Sequence, residues 1–403
     1  MTQRILVVGA GFAGMWSALS AARALDMAGH ANDGVEILLV APEPTLHVRP
    51  RLYEVPQEAM KAPLQSVLDT VGVRFLAARV DHIRTDAQEV DVVDAAGARQ
   101  TLAYDRLVLA AGSQLFRPPV PGLHAHALSV DQYEDALALD AHLRKLALQP
   151  SSLARNTIVV VGGGFTGIET AAEMPARLRE IMGSDIEPRV IVVERADAIG
   201  PDLGPGPRPV IEKALKSQGV SWRLGVEVES IDAEGITTSG GERIEAATVI
   251  WTAGMRATAL TQQIPAERDA AGRILVDRNL QVPGVPNVFV TGDAARAATD
   301  DEGNVAMMSC QHAMALGRSA GHNVAADLLG LPKIAYSQPK YVTCLDLGPW
   351  GAVYTEGWSR EVKMEGAEAK ALKHQINTEW IYPPTGDRAE LLRSADPGRI
   401  VVA

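Results

Sequence analysis

Residues 4–14 read RILVVGAGFAG, and this stretch decides the fold. Residues 5–8 are an apolar run of buried-strand length, and a Gly-x-Gly-x-x-Gly turn follows at Gly9, Gly11 and Gly14. The alanine-rich stretch 15–25 then reads as a helix. Each glycine has a physical task. Gly9 permits the tight turn, Gly11 lets the backbone approach a pyrophosphate, and Gly14 lets the helix pack closely on the strand. The helix N-terminus offers free N–H groups and a partial positive charge to phosphates.

The pattern returns 153 positions later, where residues 157–167 read TIVVVGGGFTG with glycines at Gly162, Gly164 and Gly167. The two copies align without a gap to the end of the next strand (35–40 and 190–193), where Ala41 has Glu194 as its counterpart. Two matched βαβ units are far harder to obtain by chance than one, so two dinucleotide sites are expected. Glu194 can accept bonds from both ribose hydroxyls and would repel a 2′-phosphate, which favours NADH over NADPH, although Arg195 offsets part of the repulsion. The first copy has no acid at that place. Either Glu43 substitutes from a shifted loop, or other groups hold the ribose.

Further small-residue turns follow the same plan. Residues 107–113 (LVLAAGS, with Ala111) and 249–254 (VIWTAG) each end a buried strand. The strand 288–291 ends in Gly292-Asp293-Ala294-Ala295, where an Asp is well placed to accept bonds from sugar-type hydroxyls. A helix over 307–328 follows, with Gln311, His312 and Ala313 in its N-terminal turn. Glu169 and Glu173 share one face of the second copy's helix, and solvated helix acids are their simplest account. Arg49 and Arg51 flank Pro50 in the basic loop 45–53, set either for an anionic group or for solvent.

With 403 residues, two or three domains are expected. Charged residues at 22% and hydrophobic residues at 47% describe a globular protein, and a net charge of −11 argues against a nucleic-acid partner. No signal-peptide pattern precedes the first strand, and no apolar run approaches the ~20 residues that span a bilayer, so a cytoplasmic protein is expected. Cys310 and Cys344 have neither redox nor zinc spacing and read as core thiols, and no metal site is expected. The tail 336–403 holds seven of the eighteen aromatic residues and forms a small α+β region: a dimer surface, a substrate cover or its own core. Its stretch 367–380 is amphipathic (Ala369, Leu372, Ile376, Trp380), with Lys370 and Lys373 beside the stripe. Packing against the body is favoured there over peripheral contact with the cytoplasmic membrane face.

Both glycine turns, both small-residue turns and the TGDAA segment together resemble the two-dinucleotide-binding-domain flavoproteins, most closely type II NADH dehydrogenases. The resemblance implies an α/β fold of two Rossmann-like domains, one inserted in the other. It gives an FAD-binding domain at 1–118 and 277–335, an NAD(P)H-binding domain at 119–276, and a C-terminal region at 336–403. FAD is then held by Gly9, Gly11, Gly14, Ala111, Gly292 and Asp293, and NADH by Gly162, Gly164, Gly167 and Glu194. The catalytic candidates are Glu169, matching a family glutamate near the nicotinamide, and Gln311. With His312 and Ala313, Gln311 matches the segment against the isoalloxazine, where the helix dipole favours an anionic reduced flavin. The implied reaction passes hydride from NADH to flavin N5 and then two electrons to a quinone-type acceptor. One departure bears on that acceptor: the family's quinone segment, Ala-Gln-x-Ala-x-Gln-x-Gly, reads CQHAMALG at 310–317, with Ala315 in place of the second glutamine. A soluble reductase of a protein carrier or small aromatic metabolite is the first alternative. An FAD- and NADH-binding redox sensor is the second.

Overall fold

The computed structural model describes residues 2–30 and 34–399. Two five-stranded parallel sheets are built on one plan. In the first, Gln3–Val8 is central, flanked by Val35–Ala41 and then Arg74–Ala77 on one side, and by Arg106–Leu109 and then Val288–Val290 on the other. In the second, Thr157–Val161 is central, flanked by Arg189–Glu194 and Val220–Leu224, and by Thr248–Trp251 and Ala127–Leu128. Each unit carries a three-stranded antiparallel meander before its return strand, Arg79–Arg84 to Arg99–Ala103 in the first and Val228–Asp232 to Arg243–Glu245 in the second. In the first meander the strand Arg79–Arg84 buries Val80 and Ile83. This is the α/β, doubly Rossmann-like fold that the paired motifs imply.

The sheets are parallel because apolar strands with helices on both faces must bury both faces. Ile5 to Val8 are at most 3% exposed, and every residue of Thr157–Val161 is buried. The first sheet takes its edge strand from residues 288–290, beyond all strands of the second sheet, so the chain leaves the first unit and returns to it. In each unit the strand order reverses beside the central strand, which opens a crevice at the carboxyl edge, where open α/β sheets take ligands. The glycine turns lie on that edge: Gly9 donates its N–H to Val40 and Gly162 donates to Val193, both at 2.8 Å.

The first helix (Phe12–Met27) packs along the Cys310–Leu328 helix. Their backbones meet at small residues. A Cβ on Gly317 would lie 2.5 Å from the Ala13 carbonyl oxygen, and one on Gly321 would lie 2.1 Å from that of Ser17. The second helix starts at Cys310, later than the 307 expected from sequence, because the Ser309 hydroxyl caps it by accepting the His312 N–H.

The tail forms an antiparallel sheet (Val342–Asp346, Ala352–Glu356, Glu361–Gly366), then helices Ala367–Gln375 and Arg388–Ser394. Ala369, Leu372 and Ile376 of its amphipathic stripe pack on the tail's own sheet, and Lys373 beside the stripe is buried. Cys344, Ala352, Tyr354 and Ala369 form a small core of the tail's own, while Ile381, Leu391, Leu392 and Ala395 join the first unit's core. No helix among the described residues is long and apolar enough to cross a membrane.

The helix contact yields a stability test. Gly321→Ala forces a methyl against backbone, and urea unfolding is expected to show a loss of about 1–3 kcal/mol.

Candidate functional site

The two glycine turns superimpose in their physics. Gly9 has φ of +106° and Gly162 of +107°, a region that only glycine enters freely. A Cβ on Gly14 would stand 1.8 Å from the Gly9 oxygen, and one on Gly167 would stand 1.9 Å from that of Gly162. Around Gly11 and Gly164, by contrast, space is open within 4 Å. No side chain caps either following helix, so the N–H groups of both first turns stay available to an anion.

The second strands end differently in the two units. Glu194 is buried, with Oε2 accepting the Gly163 N–H at 2.6 Å and Oε1 accepting that of Ala196 at 2.8 Å. Its carboxylate is thus fixed at the strand end, beside the turn. Ala41 offers a methyl there. Glu43 does not stand in for it as Glu194's equivalent: its carboxylate pairs with His47 at 2.7 Å and with Lys61 at 3.6 Å, bracing the Thr45–His47 and Lys61–Pro63 hairpin.

Asp293 and the 107–113 turn come together because Val288–Val290 pairs with Arg106–Leu109. The Ser113 hydroxyl, two residues beyond Ala111, donates to Asp293 Oδ2 at 2.6 Å, and burial pushes the Asp293 carboxyl above the usual range. Gly292 touches both the first helix and the later one, since a Cβ on it would lie 2.6 Å from Ala13 Cβ and 3.8 Å from Ala313 Cβ. The residues expected around the flavin therefore converge on one edge of the first sheet, except Glu43. Arg49 and Arg51 are not loose loop cations: Arg49 pairs with Asp131, and buried Arg51 binds Glu54 and the Tyr382 hydroxyl.

At the start of the Cys310–Leu328 helix, Gln311 has both amide atoms buried without a protein partner. The Ser309 hydroxyl accepts the His312 N–H and lies within hydrogen-bond distance of His312 Nδ1, at 3.0 Å. His312 Nε2 too lacks a protein partner among the described residues. Burial lowers the His312 pKa to about 4, so the ring is neutral at working pH.

Glu169 is the largest departure from the sequence reading. It is buried at 3% exposure, not a solvated helix acid. Its Oε1 lies 2.8 Å from Lys373 Nζ and accepts the Asp346 N–H at 3.0 Å. Burial pushes the carboxyl up to about 7 against the opposing pull of Lys373, and Asp346 adds to the rise. Lys370 bridges Asp346, at 2.6 Å, to half-buried Glu173, at 3.4 Å, while the Tyr53 hydroxyl donates to Asp346 at 2.9 Å. Two carboxylates on one helix face thus meet two lysines spaced by three on another helix.

The sequence pattern of the pyridine nucleotide-disulphide oxidoreductases matches residues 3–317. The chain belongs to that family. As a member it is an oxidoreductase, with FAD and NADH as its cofactors. The NADH dehydrogenase-like protein Rv1812c of Mycobacterium tuberculosis is 47% identical over 397 residues, 98% of each chain. The type II NADH:quinone oxidoreductase NdhA of the same organism is 32% identical over 72% of this chain and 66% of its own. The solved structure of NDH2 from Plasmodium falciparum in complex with NADH shares the fold, at a TM-score of 0.76 and 15% identity, over 98% of this chain and 97% of that one.

The family's disulphide chemistry has no counterpart in the cysteines described. Cys310 and Cys344 are free, and burial pushes their thiols up to about 11 and about 12, which leaves them protonated. Sequence reasoning missed Tyr53, Asp346 and the pairing of Lys373. Their only local signal was lysines at 370 and 373 beside an apolar stripe.

Removing one member of the buried pair strands the other. Lys373→Met is expected to lower stability by about 3–5 kcal/mol in urea unfolding, and Glu169→Gln added to it to recover part of the loss.

Proposed function

We propose that this protein is an FAD-dependent NADH dehydrogenase that reduces a quinone-type acceptor. One observation carries the reading: two glycine turns of the same geometry serve different ends, one closed by Glu194, the other converging with Asp293 and the Gln311 turn. The residues fit a flavin. Gly11 leaves room for a pyrophosphate, and the Gln311 amide and His312 Nε2 are buried polar groups that lack a partner among the described residues. In this reading Gly9, Gly11, Gly14, Ala111, Gly292 and Asp293 hold FAD, with Gln311 to Ala313 along its ring. Bound flavin would supply the redox chemistry, accepting hydride and releasing two electrons.

Gly162, Gly164 and Gly167 would seat the NADH pyrophosphate, and Glu194 the adenosine ribose. Glu194 already accepts two backbone N–H groups, so its remaining lone pairs have a fixed direction, which supports NADH over NADPH. Glu169 would hold a proton at its carboxyl near neutrality. Reduction of a quinone by NADH takes up one proton from solvent, and the Glu169 carboxyl, fixed by Lys373 and the Asp346 N–H, would be the group to hold it. One chain carries both glycine turns, so the reading needs no second subunit. A quinone acceptor would bring the protein to the cytoplasmic membrane face, because quinones reside in lipid. Ala315 favours a second reading, in which the acceptor is a protein carrier or a small aromatic metabolite.

Steady-state NADH oxidation with a panel of quinones separates the two. Turnover with quinones is expected; flavin reduction without turnover on any quinone contradicts the acceptor assignment. Glu169 also sets a pH dependence. Its carboxyl is protonated below about 7, so proton-requiring reoxidation by quinone is expected to slow as pH rises through that value. Stopped-flow reoxidation of Glu169→Gln is expected to lose this limb and run about 10²-fold slower.

A further inference from the structure

Buried donors without protein acceptors gather in one place. Beside the His312 ring, 6.0 Å from that of Trp358, lie Trp358 Nε1 and Arg360 Nη1, both buried and both unpartnered among the described residues. The side chains form one stack: His312 to Tyr341 at 5.0 Å, Tyr341 to Trp358 at 4.5 Å, and the Arg360 guanidinium 4.4 Å from the Tyr341 ring centre. Trp358 and Arg360 stand in the turn between Ala352–Glu356 and Glu361–Gly366, on the C-terminal sheet.

Arg360 is also joined to the second glycine turn. Its Nη2 donates to the Asp202 carbonyl at 3.4 Å, and its own carbonyl would lie 2.6 Å from a Cβ on Gly206. The loop that carries these residues is held at Gly200, whose N–H bonds the Gly163 carbonyl at 2.9 Å. Arg360 therefore bridges the glycine-turn end of one unit and the Gln311–His312 end of the other. NADH with its pyrophosphate on the first and its nicotinamide near the second must cross that span, an argument that rests on the function proposed above.

The turn is unusual for an arginine. Arg360 has φ of +57°, where a glycine or asparagine sits with less strain. It is only 7% exposed, yet one fork of its guanidinium finds no acceptor, and burying a donor in that state is costly. A backbone outlier that holds an unsatisfied buried cation motivates a functional hypothesis. Anionic oxygens would satisfy both Arg360 Nη1 and the Trp358 indole N–H. Attachment to the Gly200–Gly206 loop selects the dinucleotide over the electron acceptor.

We propose that Arg360, seconded by Trp358, is a clamp by which the C-terminal region closes on NADH, pairing with its pyrophosphate oxygens. The variants are Arg360→Asn, which suits the positive φ but lacks the fork, the conservative Arg360→Lys, and Trp358→Phe. The probe is ADP-ribose, which carries the pyrophosphate without the nicotinamide, titrated calorimetrically into the FAD-loaded protein. Arg360→Asn is expected to weaken ADP-ribose binding and raise the KM for NADH by about 10-fold or more, with flavin content and the KM for quinone unchanged. Arg360→Lys should recover part of the loss, and Trp358→Phe should show a smaller one. Unchanged ADP-ribose affinity in Arg360→Asn overturns the clamp, as does a rise confined to the quinone KM. The titration needs no acceptor, so a wild-type protein that binds ADP-ribose but turns over no quinone contradicts the acceptor assignment alone. A wild-type protein that binds no ADP-ribose overturns the clamp and the NADH site together.

Discussion

The structure depends on a contact that leaves no room for a side chain. In each unit the start of a helix comes against the glycine carbonyl of the preceding turn, so closely that Gly14 and Gly167 have no space for a Cβ. That approach fixes each helix against its sheet and aims its uncapped N-terminus across the crevice at the carboxyl edge. The same economy of side chains recurs between the helices Phe12–Met27 and Cys310–Leu328, which approach through Gly317 and Gly321. This second contact brings the Gln311 turn up to the first glycine turn, with Gly292 between Ala13 and Ala313. Backbone proximity thus brings these turns together without any charged side chain.

Charge enters where the C-terminal region meets the second unit. Glu169, Lys373 and Asp346 are each at most 5% exposed, and such groups are stable only while paired. A pair of apolar residues would join the tail to the helix as firmly or more so, so stability alone does not account for the ions. A buried carboxyl brought near neutrality next to a fixed ammonium is, however, suited to holding and releasing a proton. Arg360 extends the same logic from the other end of the tail. The C-terminal region thus reaches Glu169 through Lys373 and the loop after the second unit's Glu194 strand through Arg360.

Much of the fold was legible because its signals are local. The glycine spacing, the apolar strands and the 153-residue repeat sit in short stretches, and their geometry follows from steric need. Glu194 could be read in the same way, from its place at the end of a strand. The rest depends on contacts between distant residues. Lys373 lies 204 positions from Glu169, and nothing near either residue announces the pair; two acids on a helix face and two lysines beside a stripe read equally well as solvated surface. Glu43 is a case where local sequence and structure say different things. It is close in sequence to the right place, but a hairpin turns it toward His47 and Lys61. The start of the Cys310–Leu328 helix was misplaced because the deciding feature is a single capping serine.

The central claim is that NADH bound on one glycine turn reduces a flavin bound on the other. It is tested most directly by the visible spectrum of the purified, FAD-loaded protein during anaerobic titration with NADH. The account predicts that the oxidised flavin band bleaches at about one NADH per flavin and returns on addition of quinone. A flavin band that persists through excess NADH would contradict it.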